Sequence, residues 1–159
     1  MKLKIELPEV GVSATADLYL EAAPAVTAAI LDALTAPVET ITRHACFDGQ
    51  EVYWFLPEMA DDLPLQNRTM RPRPGELMYF GARRSDFAFL ADDRLTPPVG
   101  SVHEMAFMYG EVDLRHYWEE GFHGSLFGRV TDGLDELAAA CARTLAEGGT
   151  AVRVSRIEG

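Results

Sequence analysis

The sequence predicts one mostly β domain, a closed barrel or a sandwich, with two helices. Three observations carry this. Short runs rich in β-branched and aromatic residues recur between turn signals along the chain. Only two segments show helical spacing. The strands do not alternate with helices as βαβ units would require.

Element by element, Lys2 to Leu7 alternates as a strand, and Glu9-Val10-Gly11 is a turn. Val12, Ala14, Ala16, Leu18 and Leu20 then alternate with polar residues, which predicts a strand with one buried face and a hairpin with the first. Pro24 suits the first turn of a helix, where its missing N–H costs nothing. Val26, Ala29, Ile30, Ala33 and Leu34 follow at helical spacing, and Pro37 ends the run. Val38 to Cys46 reads as a strand, Asp48-Gly49 as a tight turn, and Glu51 to Leu56 as the return strand. Pro57 to Gly75 holds four prolines and reads as a long loop, a lid or an interface arm. Glu76 to Gly81 and Asp86 to Ala91 form a strand pair, and Thr96-Pro97-Pro98 breaks the pattern. His103 to Tyr109 is a strand, Gly110 to Gly124 is irregular, and Phe127 to Val130 is a short strand. The second helix carries Leu134, Leu137, Ala138, Cys141 and Leu145 on one stripe. Asp132 is placed to cap it and Gly148-Gly149 to end it. Thr150 to Ile157 is the closing strand.

Composition bounds function. A chain of 159 residues is one domain, residues 1–159, long enough to bury a core. It has no long apolar run for a membrane span and no signal-peptide centre, so the expected location is cytoplasmic. A net charge of -11 disfavours nucleic acid and anionic membranes as partners. The two cysteines, Cys46 and Cys141, have neither metal nor redox spacing, and Cys141 lies on the apolar stripe.

Two segments choose the barrel. Phe127-Gly128-Arg129-Val130-Thr131-Asp132-Gly133-Leu134-Asp135 resembles the cyclophilin motif F-G-K/R-V-x-E/D-G-L/M-D/E, which joins a strand to the second helix. Ala16-Asp17-Leu18-Tyr19-Leu20-Glu21-Ala22-Ala23-Pro24 is similar to that family's passage from strand to first helix. The resemblance implies a closed barrel of about eight strands capped by two helices. Gly128 and Gly133 then suit close approach and a positive-φ turn, and Leu18 and Leu134 seal the barrel ends.

The middle departs from working prolyl isomerases, whose segment F-H-R-x-I-x-x-F-x-x-Q-G-G supplies an Arg and a proline pocket. Here Thr40 to Phe55 keeps Arg43 without the Q-G-G, and Gly124-Ser125-Leu126-Phe127 only faintly echoes N-G-S-Q-F-F. Asp48 to Trp54, Pro74-Gly75-Glu76-Leu77-Met78-Tyr79 and Glu104 to Gly110 instead resemble segments of small bacterial and archaeal cyclophilin-like proteins of unknown function.

Candidate chemistry is weighed against ordinary packing. Arg43 with His44 can polarise a prolyl amide; the ordinary alternative is a solvent-facing Arg. Tyr53, Phe55, Tyr79, Phe107 and Tyr109 can line a cleft with hydroxyl handles, or can be core. Glu51 can act as an acid or base if buried. His103-Glu104 and His116 to His123 lack metal-ligand spacing, and adjacent residues on a strand point to opposite faces, so no metal is expected. Gly75, Gly81, Gly110 and Gly124 form no nucleotide motif, and no cofactor is expected. Tyr117, Trp118 and Phe122 sit where a homo-oligomer contact would. The expected function is binding of a small molecule or peptide at Arg43, His44, Glu51, Tyr53, Tyr79, Phe107 and Tyr109 without classical isomerase activity. The alternatives are an isomerase with an altered pocket and an assembly protein.

Overall fold

The computed structural model describes residues 1–45, 49–60, 63–83, 100–116 and 122–157. The elements are β1 (Lys2–Leu7), β2 (Val12–Leu18), α1 (Pro24–Ala33), β3 (Val38–Ile41), β4 (Arg43–His44), β5 (Gly49–Phe55) and β6 (Arg68–Thr69). After them come β7 (Glu76–Arg83), β8 (Ser101–Val112), β9 (Gly124–Asp132), α2 (Leu134–Glu147) and β10 (Ala151–Ile157). One antiparallel sheet runs β3-β10-β1-β2-β9-β7-β8-β5-β4, with β6 on β9.

The two ends of that order are neighbours in the chain. Only Thr42 separates β3, which pairs with β10, from β4, which pairs with β5. The sheet therefore curls into a nearly closed barrel whose seam is a single bent strand. Taking β3 and β4 as one stave turns the nine strands of the path into eight. Thr42 is buried, and its hydroxyl accepts from the Thr150 N–H at 2.9 Å while its own N–H donates to the Thr150 carbonyl at 2.9 Å. Glu9 continues the clasp, accepting from the Thr150 hydroxyl at 2.7 Å and the Ala151 N–H at 3.2 Å. Those bonds, the Thr150 hydroxyl first, hold the Glu9 carboxyl below its usual value. A side chain at Gly149 would put its Cβ 2.0 Å from the Thr42 carbonyl, so only glycine lets the strands meet.

The interior is filled by Leu3, Ile5 and Leu7 of β1, Ala14 and Ala16 of β2, Val52 and Trp54 of β5, Met105 and Phe107 of β8, and Phe127 of β9. Helix α1 adds Val26 and Ile30, and α2 adds Leu137, Ala140 and Cys141. A second cluster covers the outer face of β7, β8 and β9 with Met78, Phe80, Ala106, Met108 and Leu126. Leu114, Met70 and Phe122 pack over it. Strands β7 and β8 are thus buried on both faces, which explains their near-continuous apolar runs.

Several expectations are corrected. The β2 alternation stops at Leu18, and Leu20 is exposed, because the chain turns toward Pro24 with the Ala23 N–H on the Tyr19 carbonyl. The α2 stripe runs through Leu137, Ala140, Cys141 and Thr144, and Leu145 is exposed. Asp132 does not cap α2. Gly133 holds that position at φ 72, where a Cβ would lie 2.5 Å from the Ser13 carbonyl. The strand expected over Val38 to Cys46 breaks at Thr42. Gly110 to Gly124 is less irregular than expected, since β8 runs on to Val112 and a short 3-10 turn covers Leu114–His116. Cys46, Asp48, Asp86 to Ala91 and Thr96-Pro97-Pro98 lie outside the described residues.

The proline-rich loop is fastened to the barrel. The Gln66 side-chain carbonyl accepts from the N–H groups of Ala25 and Val26 at 2.9 and 3.2 Å, satisfying two open donors of α1. The Gln66 N–H donates to the Ser125 hydroxyl at 3.0 Å, and the Asn67 side-chain amide donates to the Leu126 carbonyl at 3.0 Å.

Thr42→Val keeps the shape of the seam residue and removes its hydroxyl. The expected loss is about 0.5–1.5 kcal/mol in urea unfolding, because the part-buried Thr150 N–H loses its acceptor. Gly149→Ala is expected to cost at least as much through the clash at the same seam.

Candidate functional site

Alternation decides which predicted site residues share a face. On β4, Arg43 lies opposite Tyr53 and His44 opposite Val52. Val52 belongs to the interior, so His44 points inward and Arg43 outward. On β8, Phe107 and Tyr109 share the inner face with Met105, while Ala106 and Met108 face the outer cluster. On β7, Tyr79 is inside and Met78 and Phe80 are outside. Glu51 lies opposite Met108, on the outer side, and is buried there at 2% exposure.

The expected set of seven residues therefore divides. His44, Tyr79, Phe107 and Tyr109 face the barrel interior. Arg43, Glu51 and Tyr53 face outward. The Arg43 guanidinium carbon sits 4.7 Å from the centre of the Phe55 ring, a cation–π contact on the outer wall, and one N–H of the guanidinium donates to the Ile41 carbonyl at 3.3 Å.

Two tyrosine–histidine pairs stand inside. Near α2, the Tyr109 hydroxyl and His44 Nε2 are 2.6 Å apart, with the rings edge to face at 5.6 Å. His44 Nδ1 lies 2.6 Å from the Ala45 carbonyl, which can only accept. The neutral ring thus carries its proton on Nδ1, and Nε2 takes the phenol hydrogen. Both residues are half-buried. Burial raises the Tyr109 phenol pKa, with the nearby Cys141 adding to it. Burial also pushes the Cys141 thiol up to about 12.

Toward the α1 end, the Tyr79 hydroxyl and His103 Nδ1 are 2.8 Å apart and their rings are stacked. Gly81 lies opposite His103, and a Cβ there would fall 2.5 Å from the Tyr79 hydroxyl. The bare glycine lets the phenol lie along its own strand and reach the histidine. Sequence reasoning missed this pair because it read His103 only as a metal candidate. The available signal was Gly81, two residues after Tyr79 and so on the same face. His103 is indeed on the opposite face from Glu104, and His116 is at the surface, 3.9 Å from Asp113. Tyr117 and Trp118 lie outside the described residues.

Of the two pairs, Tyr79–His103 is sealed and His44–Tyr109 is half-open beside the seam. The latter presents a hydroxyl and an imidazole at the edge of the interior. That arrangement offers a phenol oxygen and an imidazole as hydrogen-bonding groups at a half-buried position.

No curated protein matches the chain in sequence. The solved structure of McbB in complex with tryptophan matches with a TM-score of 0.65 at 20% identity, over 99% of this chain and 45% of that one. That likeness shows the fold, and the chain spans less than half of that protein's length. No helix among the described residues is long and apolar enough to cross a membrane. Residues 5–156 match the model of the family described as protein of unknown function (DUF3830), and the chain belongs to that family.

The protonated Cys141 thiol has two consequences. In a Cys46→Ser background, native protein at pH 8 is expected to react with a disulfide reagent only as fast as it unfolds. A raised folded-state pKa means that the native state holds the proton more tightly. Stability is therefore expected to fall as pH rises from the ordinary thiol range toward about 12, and Cys141→Ala should flatten that slope in urea titrations.

Proposed function

Starting from membership of that family, we propose that the chain is a cyclophilin-like, cytoplasmic binding barrel. It takes a small molecule or peptide at the half-open His44–Tyr109 pair and has no classical prolyl isomerase activity. The observation that carries this reading is the pair itself, held at 2.6 Å and half-buried beside the seam. Tyr109 comes from β8, two residues after the fully buried Phe107, and His44 comes from the bent strand at the seam. A ligand with an acceptor or donor at one end can exchange hydrogen bonds with the phenol and imidazole. The isomerase alternative loses support because Arg43 stacks on Phe55 on the outer wall, away from the inward aromatics. A guanidinium so placed is not aimed at an amide held among those aromatics.

The test uses two probes on isotope-labelled protein, L-tryptophan and a proline-containing tetrapeptide. Tryptophan is chosen because the McbB structure holds it. Saturable shifts at His44 and its neighbours are expected for at least one probe, weakened about tenfold or more in His44→Ala and Tyr109→Phe. Shifts indifferent to both variants, or none with either probe, contradict the reading. A protease-coupled assay on the proline peptide should show no catalysed isomerisation. Clear activity that Arg43→Ala abolishes would overturn this reading in favour of the isomerase.

A further inference from the structure

The cations of this acidic chain are not spread evenly in their pairing. Lys2, Lys4, Arg115, Arg143 and Arg153 each face an acid within ion-pair distance. Arg68, Arg71, Arg73 and Arg129 are exposed and make no ion pair among the described residues. All four lie in the loop that carries β6 or on β9 beside it. In a chain with 25 acidic and 14 basic residues, exposed guanidinium groups without an ion-pair partner repel one another more than the paired ones do.

The packing brings Arg73 and Arg129 together. Arg129 lies over the Pro74–Gly75 turn, its Nη2 donating to the Pro74 carbonyl at 3.4 Å and its Nε 3.5 Å from where a Gly75 Cβ would be. The Arg73 N–H donates to the Glu76 carboxylate at 2.6 Å, which fixes the loop and leaves the Arg73 side chain outward. Tyr19 stands beside them, half-buried against the outer cluster, within electrostatic reach of Glu76, Arg129 and Arg73. The neighbouring acids are Glu76 and Asp17, each opposite Arg129 in register, and Asp17 is taken by Lys2 at 3.2 Å. Two large apolar side chains are exposed at the same end of the molecule. Leu20 follows Tyr19, and Leu65 precedes Gln66, whose side chain caps α1.

We propose that the face carrying Arg68, Arg71, Arg73 and Arg129, with Tyr19, Leu20 and Leu65, is a docking surface for an extended acidic segment of a partner protein that carries interspersed apolar residues. Arginine forks recognise carboxylates two bonds at a time, and arginine with tyrosine is the composition enriched at protein interfaces. Breadth also selects the partner. Arg68 pairs opposite Ser125, and Arg129 lies four residues further along β9, so the arginines extend over roughly 13 Å, longer than one small anion. A nucleic-acid backbone would run on over the acidic remainder of the surface and has no use for exposed leucines. A short peptide stays within the local field, which decays over about 8–10 Å at physiological salt.

The test is fluorescence anisotropy of a labelled peptide alternating Glu-Glu with Leu, compared with an all-Glu peptide and a single-stranded oligonucleotide of equal length. The Glu/Leu peptide is expected to bind most tightly and to weaken with salt. Arg71→Ser with Arg73→Ser should weaken it about tenfold or more, and Leu20→Ser with Leu65→Ser should lose the preference over all-Glu. Arg143→Ser, on α2, serves as the control and should bind as wild type. Circular dichroism and urea unfolding confirm that each variant is folded. Tighter binding of the oligonucleotide, equal binding by all variants, or no binding below ~1 mM overturns the proposal. So does light scattering that shows self-association removed by the arginine variants, since the occupant would then be a second copy.

Discussion

The interior of this barrel depends on one short seam. Strands β3 and β4 are the two edges of the sheet, and an edge exposes a row of unpaired backbone donors and acceptors. Thr42 joins them, with its hydroxyl and its N–H both engaged on Thr150, and Glu9 holds Thr150 from the other side. Gly149 makes the approach possible. The bend at Thr42 also orients the next two side chains. Arg43 is turned to the outer wall and His44 to the inner one, so the seam decides which of two adjacent charged or polar residues faces the interior.

The second constraint is that the central strands are covered on both sides. In a barrel with one wet face, Tyr53, Tyr79 and Tyr109 on neighbouring strands would be read as partners. Here Tyr53 lies in the outer layer with Phe55, and Tyr79 and Tyr109 lie inside, each with its own histidine. The two inner pairs differ in consequence. Tyr79–His103 is fully buried and forms a polar link within the core. His44–Tyr109 is half-open, and a polar pair that already tolerates partial solvation can exchange partners with a ligand at lower cost.

Much of the fold was legible because its signals are local. The period-two alternation of Lys2 to Leu7 marks β1 to the residue, and the spacing of Val26 and Ile30 marks the buried side of α1. Gly133 and Gly128 marked a positive-φ turn and a close approach, and both occur. The stripe of α2 was misplaced at Leu145 because hydrophobicity was followed where geometry favoured Thr144, whose hydroxyl is satisfied by the Cys141 carbonyl at 2.7 Å. The site was less legible for a physical reason. Period-two reasoning sorts residues within a strand, but continuous apolar runs such as Leu77 to Phe80 hide which half faces in. Only the register of β7 and β8 with their neighbours resolves that, and register is a long-range property. The kink at Thr42 is likewise invisible to a local reading, because its cause is the partner strand at Thr150.

The most direct test of this account is native-state hydrogen exchange at the seam. If β3 and β4 close the barrel through Thr42, the amides of Thr42 and Thr150 should exchange only through global unfolding, with protection close to that of Ile5 and Phe107 in the core. Exchange at those two amides as fast as at an exposed loop would contradict it, since the sheet would then be open between β3 and β4 and His44 would have no fixed interior to face.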